Sequence, residues 1–206
     1  MSQNQKKIGV FGGAFDPPHY AHVALVQTAL TELELDVLHV IPTGQAWHKA
    51  RNLSPAHHRL AMTQLAFENI PRVVVDEREI KRAGPTFTID TLQSLQSENP
   101  NSQLYLLMGA DQFAAFEKWH QWREILKTAI ICIADRARFM SATALFDAKT
   151  GPKNRPVTLQ MPQMAVSATQ IRQLVSSGLG ENQAIADLMP HPVASYIAQH
   201  QLYKAL

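Results

Sequence analysis

The sequence between Gly9 and His22, GVFGGAFDPPHYAH, has the pattern of a strand that turns into a helix. Lys7 to Phe11 contains the β-branched and aromatic residues that are typical of a short strand. Gly12 and Gly13 are expected to adopt backbone angles that are closed to other residues, and Asp16 before two prolines indicates a helix start. The segment therefore predicts a strand, a turn and a helix in close succession.

The first turn of the predicted helix is suited to bind an anion. Its N–H groups have no acceptor within the helix, and the helix dipole places positive charge there. His19 and His22 lie in this turn, and their spacing of three residues puts them on one helical face. Both side chains can therefore address one phosphate group.

Strand and helix patterns alternate along the chain. Apolar runs typical of strands lie at 7–11, 36–41, 72–76, 104–108, 129–134 and 157–160, and helical patterns lie at 20–33, 55–68 and 88–97. Short, nearly continuous apolar runs suit strands that are covered on both faces. The order therefore predicts an α/β fold with a Rossmann-like parallel sheet flanked by helices. Ligands of such sheets bind beyond the carboxyl ends of the strands.

Length and composition predict one domain that spans residues 1–206. With 46% hydrophobic and 17% charged residues the chain belongs to the globular class, and no apolar run approaches the roughly 20 residues of a membrane-spanning helix. The first seven residues lack an apolar secretion segment, which favours a cytoplasmic location. A net charge of +2 with dispersed basic residues argues against nucleic-acid partners, and no membrane partner is expected. Cys132 lies in an apolar run, where a buried, unreactive thiol is expected.

The segment GGAFDPPHYAH resembles the signature of the nucleotidyltransferases related to class I aminoacyl-tRNA synthetases. Their histidine pair is commonly H-x-G-H, and here Ala21 stands at the glycine position between His19 and His22. Bacterial nicotinate-nucleotide adenylyltransferases, which make the dinucleotide precursor of NAD, often carry H-x-x-H, and the whole chain resembles this family. The resemblance implies a nucleotidyltransferase-type domain in which helices from about residue 165 complete the ATP site.

A loop with basic residues follows the second predicted strand and contains His48, Lys49 and Arg51. Composition alone favours an ordinary solvated loop. In the family a Pro-His-Lys or Pro-His-Arg segment closes this loop over phosphates. The resemblance therefore implies that Lys49 contacts the triphosphate or the mononucleotide.

The segment Gly84 to Leu92, GPTFTIDTL, indicates a turn that enters a helix, with Thr86 or Thr88 as the predicted cap. It resembles the family marker Gly-Pro-x-Tyr-Thr-x-Asp-Thr-Leu, with Phe87 for the tyrosine. In the family the backbone N–H groups of this turn meet the substrate carboxylate. The resemblance thus places Thr86, Phe87 and Thr88 in the nicotinate mononucleotide site and leaves Asp90 and Thr91 to hold the loop together.

Four aromatic residues follow the fourth predicted strand at intervals of three: Phe113, Phe116, Trp119 and Trp122. A continuous helix would rotate them away from a common face, so we expect one to be displaced or exposed, or the helix to break. The family resemblance implies that Trp119 stacks on the pyridine ring. It also implies that Gly109 and Asp111 contact the nucleotide sugars, Asp111 in both the ATP and the mononucleotide sites.

Two segments after the fifth predicted strand contain further candidate phosphate contacts. Arg136 and Arg138 follow the fifth predicted strand, where a phosphate clamp and a solvated turn are equally compatible with the sequence. Which of Lys49, Arg136 and Arg138 holds the mononucleotide phosphate is left open, and Arg136 is included in that site. Ser167 is a good helix cap, and the segment Ala165 to Arg172 resembles the family's I-S-x-T-x-I-R signature. The resemblance implies that Ser167, Thr169 and Arg172 bind ATP phosphates, and the planar fork of arginine suits that contact.

The resemblance implies adenylyl transfer from ATP to nicotinate mononucleotide with release of pyrophosphate. The nucleophile is a phosphate oxygen that needs no protein base at neutral pH, so no covalent intermediate is required. His19, His22, Lys49 and Arg172 are the implied catalytic residues. Gly12, Gly13 and Phe15 join the implied ATP site. Mg²⁺ is expected to accompany ATP, bound mainly by phosphates and water.

Two alternatives stay open at this stage. The first is another adenylyltransferase of the same fold that uses phosphopantetheine or the nicotinamide nucleotide. The second is a non-enzymatic zinc protein that uses His19 and His22, although structural zinc sites need four ligands. The sequence leaves open the oligomeric state and how strictly the acid is preferred to the amide.

Overall fold

Short β-branched and apolar runs form six strands of one parallel sheet. The computed structural model describes residues 5–44, 53–134, 155–162, 164–178 and 183–204. The strands are β1 (Lys6–Gly13), β2 (Val37–Pro42), β3 (Val73–Val75), β4 (Ser102–Gly109), β5 (Ala129–Ala134) and β6 (Val157–Leu159). Each coincides within a few residues with a strand that the sequence predicted.

The order of the strands across the sheet is β3-β2-β1-β4-β5-β6. All five pairings are parallel. The chain therefore proceeds outward from β1 to β3 and then returns to the other side of β1 with β4. In open parallel sheets, this reversal opens a crevice at the carboxyl ends of the two central strands, here β1 and β4. The prediction of a Rossmann-like α/β fold is confirmed.

Helices cover both faces of the sheet. They are α1 (Tyr20–Glu32), α2 (Ala56–Phe67), α3 (Arg78–Lys81), α4 (Thr88–Glu98), α5 (Ala110–Ala114), α6 (Trp122–Thr128), α7 (Ala168–Ser176), α8 (Gln183–Ala186) and α9 (His191–Gln199). Successive strand residues point to opposite faces. Phe11 accordingly belongs to a core shared with α1, α2, α7 and α9, whereas Val10 belongs to a core shared with α4, α5 and α6.

The centre of the sheet is apolar throughout. Cys132 in β5 is fully buried, and burial raises the pKa of its thiol to about 12, which confirms the prediction of an unreactive cysteine. No helix in the described segments has the length and apolar character needed to span a bilayer.

Candidate active site

The candidate site is the crevice where β1 and β4 end side by side. Val10 of β1 pairs with Leu106 of β4, and each strand ends three residues further on, at Gly13 and Gly109. The segment after β1 carries His19 and His22, and the segment after β4 carries the exposed Asp111. The fold therefore brings together two groups of residues that the sequence analysis assigned to one nucleotide.

The glycines at the end of β1 do not make the turn that the sequence predicted. Gly12 and Gly13 are strand residues without a positive φ, and the left-handed position falls at Phe15, with φ 47°. Phe15 is 2% exposed, and a side chain at Gly13 would meet its ring at 2.9 Å. Glycine is therefore needed at position 13 to make room for a core aromatic ring. Because that ring is buried, a contact of Phe15 with ATP would come from its backbone.

His19 and His22 lie on one face of α1, as their spacing predicted. Their rings stack with centroids 3.7 Å apart and planes 23° apart. His19 is the cap residue of α1 and is 7% exposed, whereas His22 is half-buried one turn further on. The two imidazoles thus stand together at the positive end of a helix of 13 residues.

A hydrogen bond fixes the tautomer of His22. The backbone N–H of His19 donates to Nδ1 of His22 at 3.1 Å. Nδ1 therefore carries no proton, and the neutral ring carries its proton on Nε2. The rings of Phe11 and Phe15 pack around this imidazole, with centroids 5.9 and 5.2 Å away. His22 consequently offers an Nε2–H donor to an anion.

Asp16 is not the cap of α1, whose cap residue is His19. Its side chain is turned inward, and the residue is 2% exposed. The carboxylate accepts hydrogen bonds from the Tyr203 hydroxyl at 2.6 Å and from the backbone N–H of Ser54 at 3.2 Å. Its backbone carbonyl accepts a hydrogen bond from Nη1 of Arg172 at 2.8 Å. Because a buried carboxylate needs donors, Asp16 is used to join segments that are distant in sequence.

Arg59 is a second buried charged residue, and the sequence analysis missed it. It lies beside the motif loop, which is the segment 14–19 between β1 and α1. It is 2% exposed and lies in α2. Its guanidinium donates to four backbone carbonyls, those of Ser54 (2.9 Å), Ala14 (3.1 Å), Thr43 (2.7 Å) and Gly44 (3.2 Å). Since a buried guanidinium must be hydrogen-bonded, these contacts hold the motif loop, the end of β2 and the start of α2 in one arrangement.

The turn before α4 differs from the prediction at its cap. The cap residue of α4 is Phe87, without a side-chain cap hydrogen bond, so neither Thr86 nor Thr88 caps the helix. Thr86 is instead turned inward, is 8% exposed, and has its Oγ1 3.5 Å from Oγ1 of Thr43. Gly84 adopts φ 84°, which glycine tolerates without steric cost.

Thr91 anchors this turn from within α4, as predicted. Its hydroxyl donates to Oε1 of Glu79 at 2.8 Å. Glu79 is 8% exposed. Burial raises the pKa of Glu79, and hydrogen bonds from Thr91 and Thr43 together with the charge of Arg82 only partly oppose that shift. The proposed holding role of Asp90 stays a prediction.

The four aromatic residues after β4 do not share one continuous helix, which confirms that expectation. α5 ends at Ala114, a 3-10 turn spans Phe116–Lys118, and α6 begins at Trp122. Phe113 and Phe116 are 5% and 0% exposed, whereas Trp119 and Trp122 are partly buried. The break therefore leaves both tryptophans partly accessible while the two phenylalanines lie in the core.

His120 connects the Trp119 segment to the turn before α4, and the sequence analysis missed it. Its ring lies 4.3 Å from the ring of Phe87, at an angle of 33°. His120 itself is exposed. The contact brings together two segments that the family resemblance assigned to the same pyridine nucleotide.

The start of α7 lies against the motif loop. Ser167 caps this helix, as predicted, by accepting the backbone N–H of Gln170 at 3.2 Å. Nη2 of Arg172 donates to Oγ1 of Thr169 at 3.0 Å, while Nη1 donates to the carbonyl of Asp16. The signature at the C-terminal end of the chain therefore meets the signature at its N-terminal end.

Comparisons with known proteins agree with this geometry. A family model described as cytidylyltransferase-like matches residues 10–174. A protein of Albidiferax ferrireducens named "Probable nicotinate-nucleotide adenylyltransferase" is 54% identical to this chain, with 97% of this chain and 98% of that protein covered. The chain belongs to the nicotinate-nucleotide adenylyltransferase family. A relative of the same name from Methylibium petroleiphilum is 38% identical over 97% of this chain and 93% of its own length.

Solved structures share the fold of this adenylyltransferase-family chain. Plasmodium falciparum nicotinic acid mononucleotide adenylyltransferase complexed with NaAD has a TM-score of 0.78 and 22% identity, covering 97% of this chain and 98% of that one. The same Plasmodium falciparum protein complexed with APC has a TM-score of 0.77 and 21% identity over the same shares. At these identities the likeness shows the fold alone.

The described residues do not include three that the family resemblance singled out: Lys49, Arg136 and Arg138. Within the described segments, no group of three or more His, Cys, Asp or Glu side chains is arranged to hold a metal ion. The donors that do meet at the crevice are imidazole and guanidinium groups and the N–H groups of a helix end. This set is suited to bind phosphate.

Proposed function

We propose that this protein transfers the adenylyl group of ATP to nicotinate mononucleotide, giving nicotinate adenine dinucleotide and pyrophosphate, a step of NAD biosynthesis. The observation that carries the proposal is the stacked pair of His19 and His22 at the start of α1, in the crevice between β1 and β4. Membership of the adenylyltransferase family supports the choice of substrates.

The proposed reaction is a direct in-line transfer. An oxygen of the mononucleotide phosphate attacks the α-phosphorus of ATP, and the bond from that phosphorus to the bridging oxygen breaks. The electron pair leaves with pyrophosphate. Because the second pKa of a phosphate ester is about 6, the nucleophile is ionised at neutral pH without a protein base. The protein's task is to hold two anions in line and to neutralise the charge that develops on phosphate oxygens.

Cationic and N–H donors of the crevice supply that neutralisation in the proposal. His22 donates from Nε2, His19 stacks beside it, and Arg172 adds a guanidinium at the start of α7. Such preorganised donors act where charge grows in the transition state. The proposed ATP site also includes Gly12, Gly13, the backbone of Phe15, Gly109, Asp111, Ser167 and Thr169. Helices from about residue 165 thereby complete the site within a single domain.

The mononucleotide is proposed to bind across the crevice, between the turn before α4 and the segment after β4. Phe87 contacts His120 there, and Trp119 is the neighbouring residue with an accessible face. We propose Lys49, Thr86, Phe87, Thr88, Asp111, Trp119 and Arg136 as mononucleotide contacts. Lys49 and Arg172 are proposed to act with the two histidines in catalysis.

Mg²⁺ is proposed to enter with ATP. Among the described residues of the crevice, Asp111 contributes an exposed carboxylate beside imidazole, guanidinium and N–H donors. This donor set fits a magnesium ion that is held mainly by phosphate oxygens and water, as Mg²⁺ sites with nucleotides commonly are. When bound, the ion would neutralise charge on the triphosphate. A cytoplasmic location stays a prediction.

Adenylyl transfer can be tested with the purified chain, ATP and Mg²⁺. Nicotinate mononucleotide, its amide and phosphopantetheine are supplied in separate reactions, and pyrophosphate and the coupled product are both quantified. We expect nicotinate adenine dinucleotide and pyrophosphate in equal amounts with the first substrate, and loss of both with excess EDTA. Metal analysis of the protein as purified is the control for the zinc alternative.

Each alternative predicts a different result in this assay. Product with phosphopantetheine alone would reassign the substrate. Stoichiometric zinc without pyrophosphate release would replace the enzyme proposal by a metal-binding one.

A further inference from the structure

The end of the chain reaches back to the motif loop through Tyr203. Its hydroxyl donates to Oδ1 of Asp16 at 2.6 Å, a distance typical of a hydrogen bond to an ionised carboxylate. Burial and the neighbouring charge of Asp16 raise the pKa of Tyr203, so the hydroxyl keeps its proton and remains the donor. The hydroxyl also lies 3.9 Å from Sδ of Met62 in α2.

The backbone at Tyr203 is held in an unfavourable conformation. Tyr203 has φ 64° and Gln201 has φ 51°, both in the left-handed region that non-glycine residues seldom occupy. Such conformations persist when surrounding contacts over-determine them, and they occur often at functional sites. The tail after α9 therefore has two left-handed residues, and one of them, Tyr203, donates its hydroxyl to the buried carboxylate of Asp16.

Asp16 transmits this contact to Arg172. Donors to the Asp16 carboxylate include the Tyr203 hydroxyl and the backbone N–H of Ser54. The carbonyl of the same residue accepts Nη1 of Arg172 at 2.8 Å. Tyr203 and Arg172 also line the same open recess beside α7. Loss of a donor to the buried carboxylate would therefore loosen the residue whose backbone carbonyl holds Arg172.

We propose that Tyr203 is a positioning residue of the adenylyl-transfer site. Its hydroxyl fixes Asp16, and Asp16 fixes the guanidinium of Arg172 where the ATP phosphates bind. The inference rests on the proposed function, because it takes Arg172 to be an ATP contact. It goes beyond that function by assigning a role in nucleotide binding to Tyr203 in the tail after α9.

The variant Tyr203→Phe tests this role because it removes one hydroxyl and keeps the ring. We expect kcat/KM for ATP to fall about 10-fold, close to the lower limit for loss of a hydrogen bond to a charged group. KM for nicotinate mononucleotide should stay within about twofold, because no contact of Tyr203 reaches the proposed mononucleotide residues in the described segments. The affinity for ATP, measured by calorimetry without turnover, should fall with kcat/KM.

Tyr196→Phe is the matched control. Tyr196 lies in α9 and has its hydroxyl 3.0 Å from Nδ1 of His58 in α2, so the variant also removes a hydroxyl contact between the C-terminal region and α2. It does not touch the motif loop through that contact. Kinetic constants and ATP affinity of Tyr196→Phe should therefore match the wild type, whatever its effect on Tm.

A double-mutant cycle with Arg172→Lys separates positioning from general stabilisation. If Tyr203 acts through Asp16 on Arg172, Tyr203→Phe should lower kcat/KM for ATP by less than about twofold in the Arg172→Lys background. If Tyr203 only stabilised the fold, Tyr203→Phe would lower kcat/KM by the same factor in the wild-type and the Arg172→Lys backgrounds.

The inference is overturned if Tyr203→Phe retains wild-type ATP affinity, if Tyr196→Phe loses as much, or if the two changes in the cycle are additive. Failure of the proposed function is a separate result. It would appear as a wild-type protein that forms no dinucleotide, and calorimetry with ATP would still decide the role of Tyr203.

Discussion

At the level of single residues, the two histidines of the first turn have different environments and should contribute differently. His22 accepts the His19 N–H at Nδ1 and is packed by aromatic rings, so the direction of its Nε2–H is fixed. A donor that is fixed in advance stabilises developing charge more than ground-state charge. The main effect of losing His22 should therefore be on turnover.

We predict that His22→Ala lowers kcat about 100- to 1,000-fold, the usual cost of removing one preorganised donor to a developing charge. The dissociation constant for ATP should change by less than about threefold, because several other donors bind the triphosphate in the ground state. His57→Ala is the control, since His57 is an exposed histidine in the first turn of α2. A His22→Ala enzyme with wild-type kcat and an unchanged circular dichroism spectrum would contradict the assignment.

Sequence patterns predicted the histidine pair but not the contacts of the buried charged residues beside it. His19 and His22 are three residues apart, so local helix geometry is enough to bring them together. Asp16 and Arg59 form their contacts with residues that are remote in sequence, and no local pattern indicates those partners. One signal was available for Arg59, because it lies on the buried face of α2 with Met62 and Thr63. A charged residue in that place indicates a specific set of acceptors.

At the level of elements, a charge network joins the end of β3 to α4. Burial would raise the pKa of Asp76, but hydrogen bonds from His39 and from the backbone and side chain of Arg78 outweigh burial and hold that pKa below its usual range. Arg78 also donates to both carboxylate oxygens of Glu98 in α4, at 2.9 and 3.1 Å. The network fixes α3 between the sheet edge and the helix that presents the proposed carboxylate-binding turn.

Asp76→Asn should reduce stability in a pH-dependent way. The pKa of Asp76 is lower in the folded than in the unfolded chain, so its contribution is present above pH of about 4 and is lost as pH falls below that value. We predict a loss of about 1.5 to 3 kcal/mol in the free energy of unfolding at pH 7, measured with urea, and a smaller difference at pH 3. The exposed Asp187→Asn serves as the control. An equal loss at both pH values would show that the charge of Asp76 is not what stabilises the network.

The turn before α4 is expected to set the preference for the acid over the amide. Carboxylate oxygens accept from backbone N–H groups, whereas the amide also presents a donor to them. Thr88→Pro deletes one backbone donor at the first position of α4, where proline is tolerated, and Phe87 before it already has the extended conformation that proline requires (φ −114°, ψ 141°). We predict that Thr88→Pro lowers the ratio of kcat/KM for nicotinate mononucleotide over its amide by about 10-fold.

Trp119→Ala is the comparison for this prediction. A ring that stacks on the pyridine binds both mononucleotides, so kcat/KM should fall for both and their ratio should stay nearly constant. If Trp119→Ala abolished the preference for nicotinate mononucleotide over its amide and Thr88→Pro left it unchanged, the specificity would come from the Trp119 ring instead of the turn.

Sequence-based prediction was accurate for the six strands and for α1, α2 and α4, and less accurate for the positions of caps and turns. Strands were found because buried parallel strands are short apolar runs, whatever lies beside them in space. The cap of α4 was predicted wrongly because Thr86 has a tertiary partner, Thr43, that draws its side chain inward. The turn after β1 was predicted at glycines, but the packing of the Phe15 ring places it two residues later. Both errors arise where packing outweighs local preference.

At the level of the whole molecule, side-chain contacts connect the two ends of the chain around the crevice. Hydrogen bonds to the motif loop come from Arg59 in α2, from Arg172 in α7 and from Tyr203 in the tail. Asp16 is buried, so a movement of α7 and the tail away from the sheet would remove the Tyr203 donor from its carboxylate and would remove the Asp16 carbonyl as an acceptor for Arg172. The helices after residue 165 should therefore not separate from the sheet as an independent unit.

We predict that the chain unfolds in one cooperative transition, as expected for a single domain of residues 1–206. In a Trp47→Phe background, tryptophan fluorescence reports on Trp119 and Trp122, which pack in the core that α6 shares. Far-ultraviolet circular dichroism reports on all helices, including α7 and α9. The two signals should therefore give the same midpoint in thermal or urea unfolding.

The proposed ATP site draws on segments after β1, after β4 and in α7, so bound ATP should stabilise the whole domain. At 100 times its Kd, ATP should add about 2.7 kcal/mol to the free energy of unfolding and raise both thermal midpoints together by about 5 to 10 °C. A circular dichroism transition that precedes the fluorescence transition, or an ATP effect on one signal alone, would show that the C-terminal helices form a separate unit.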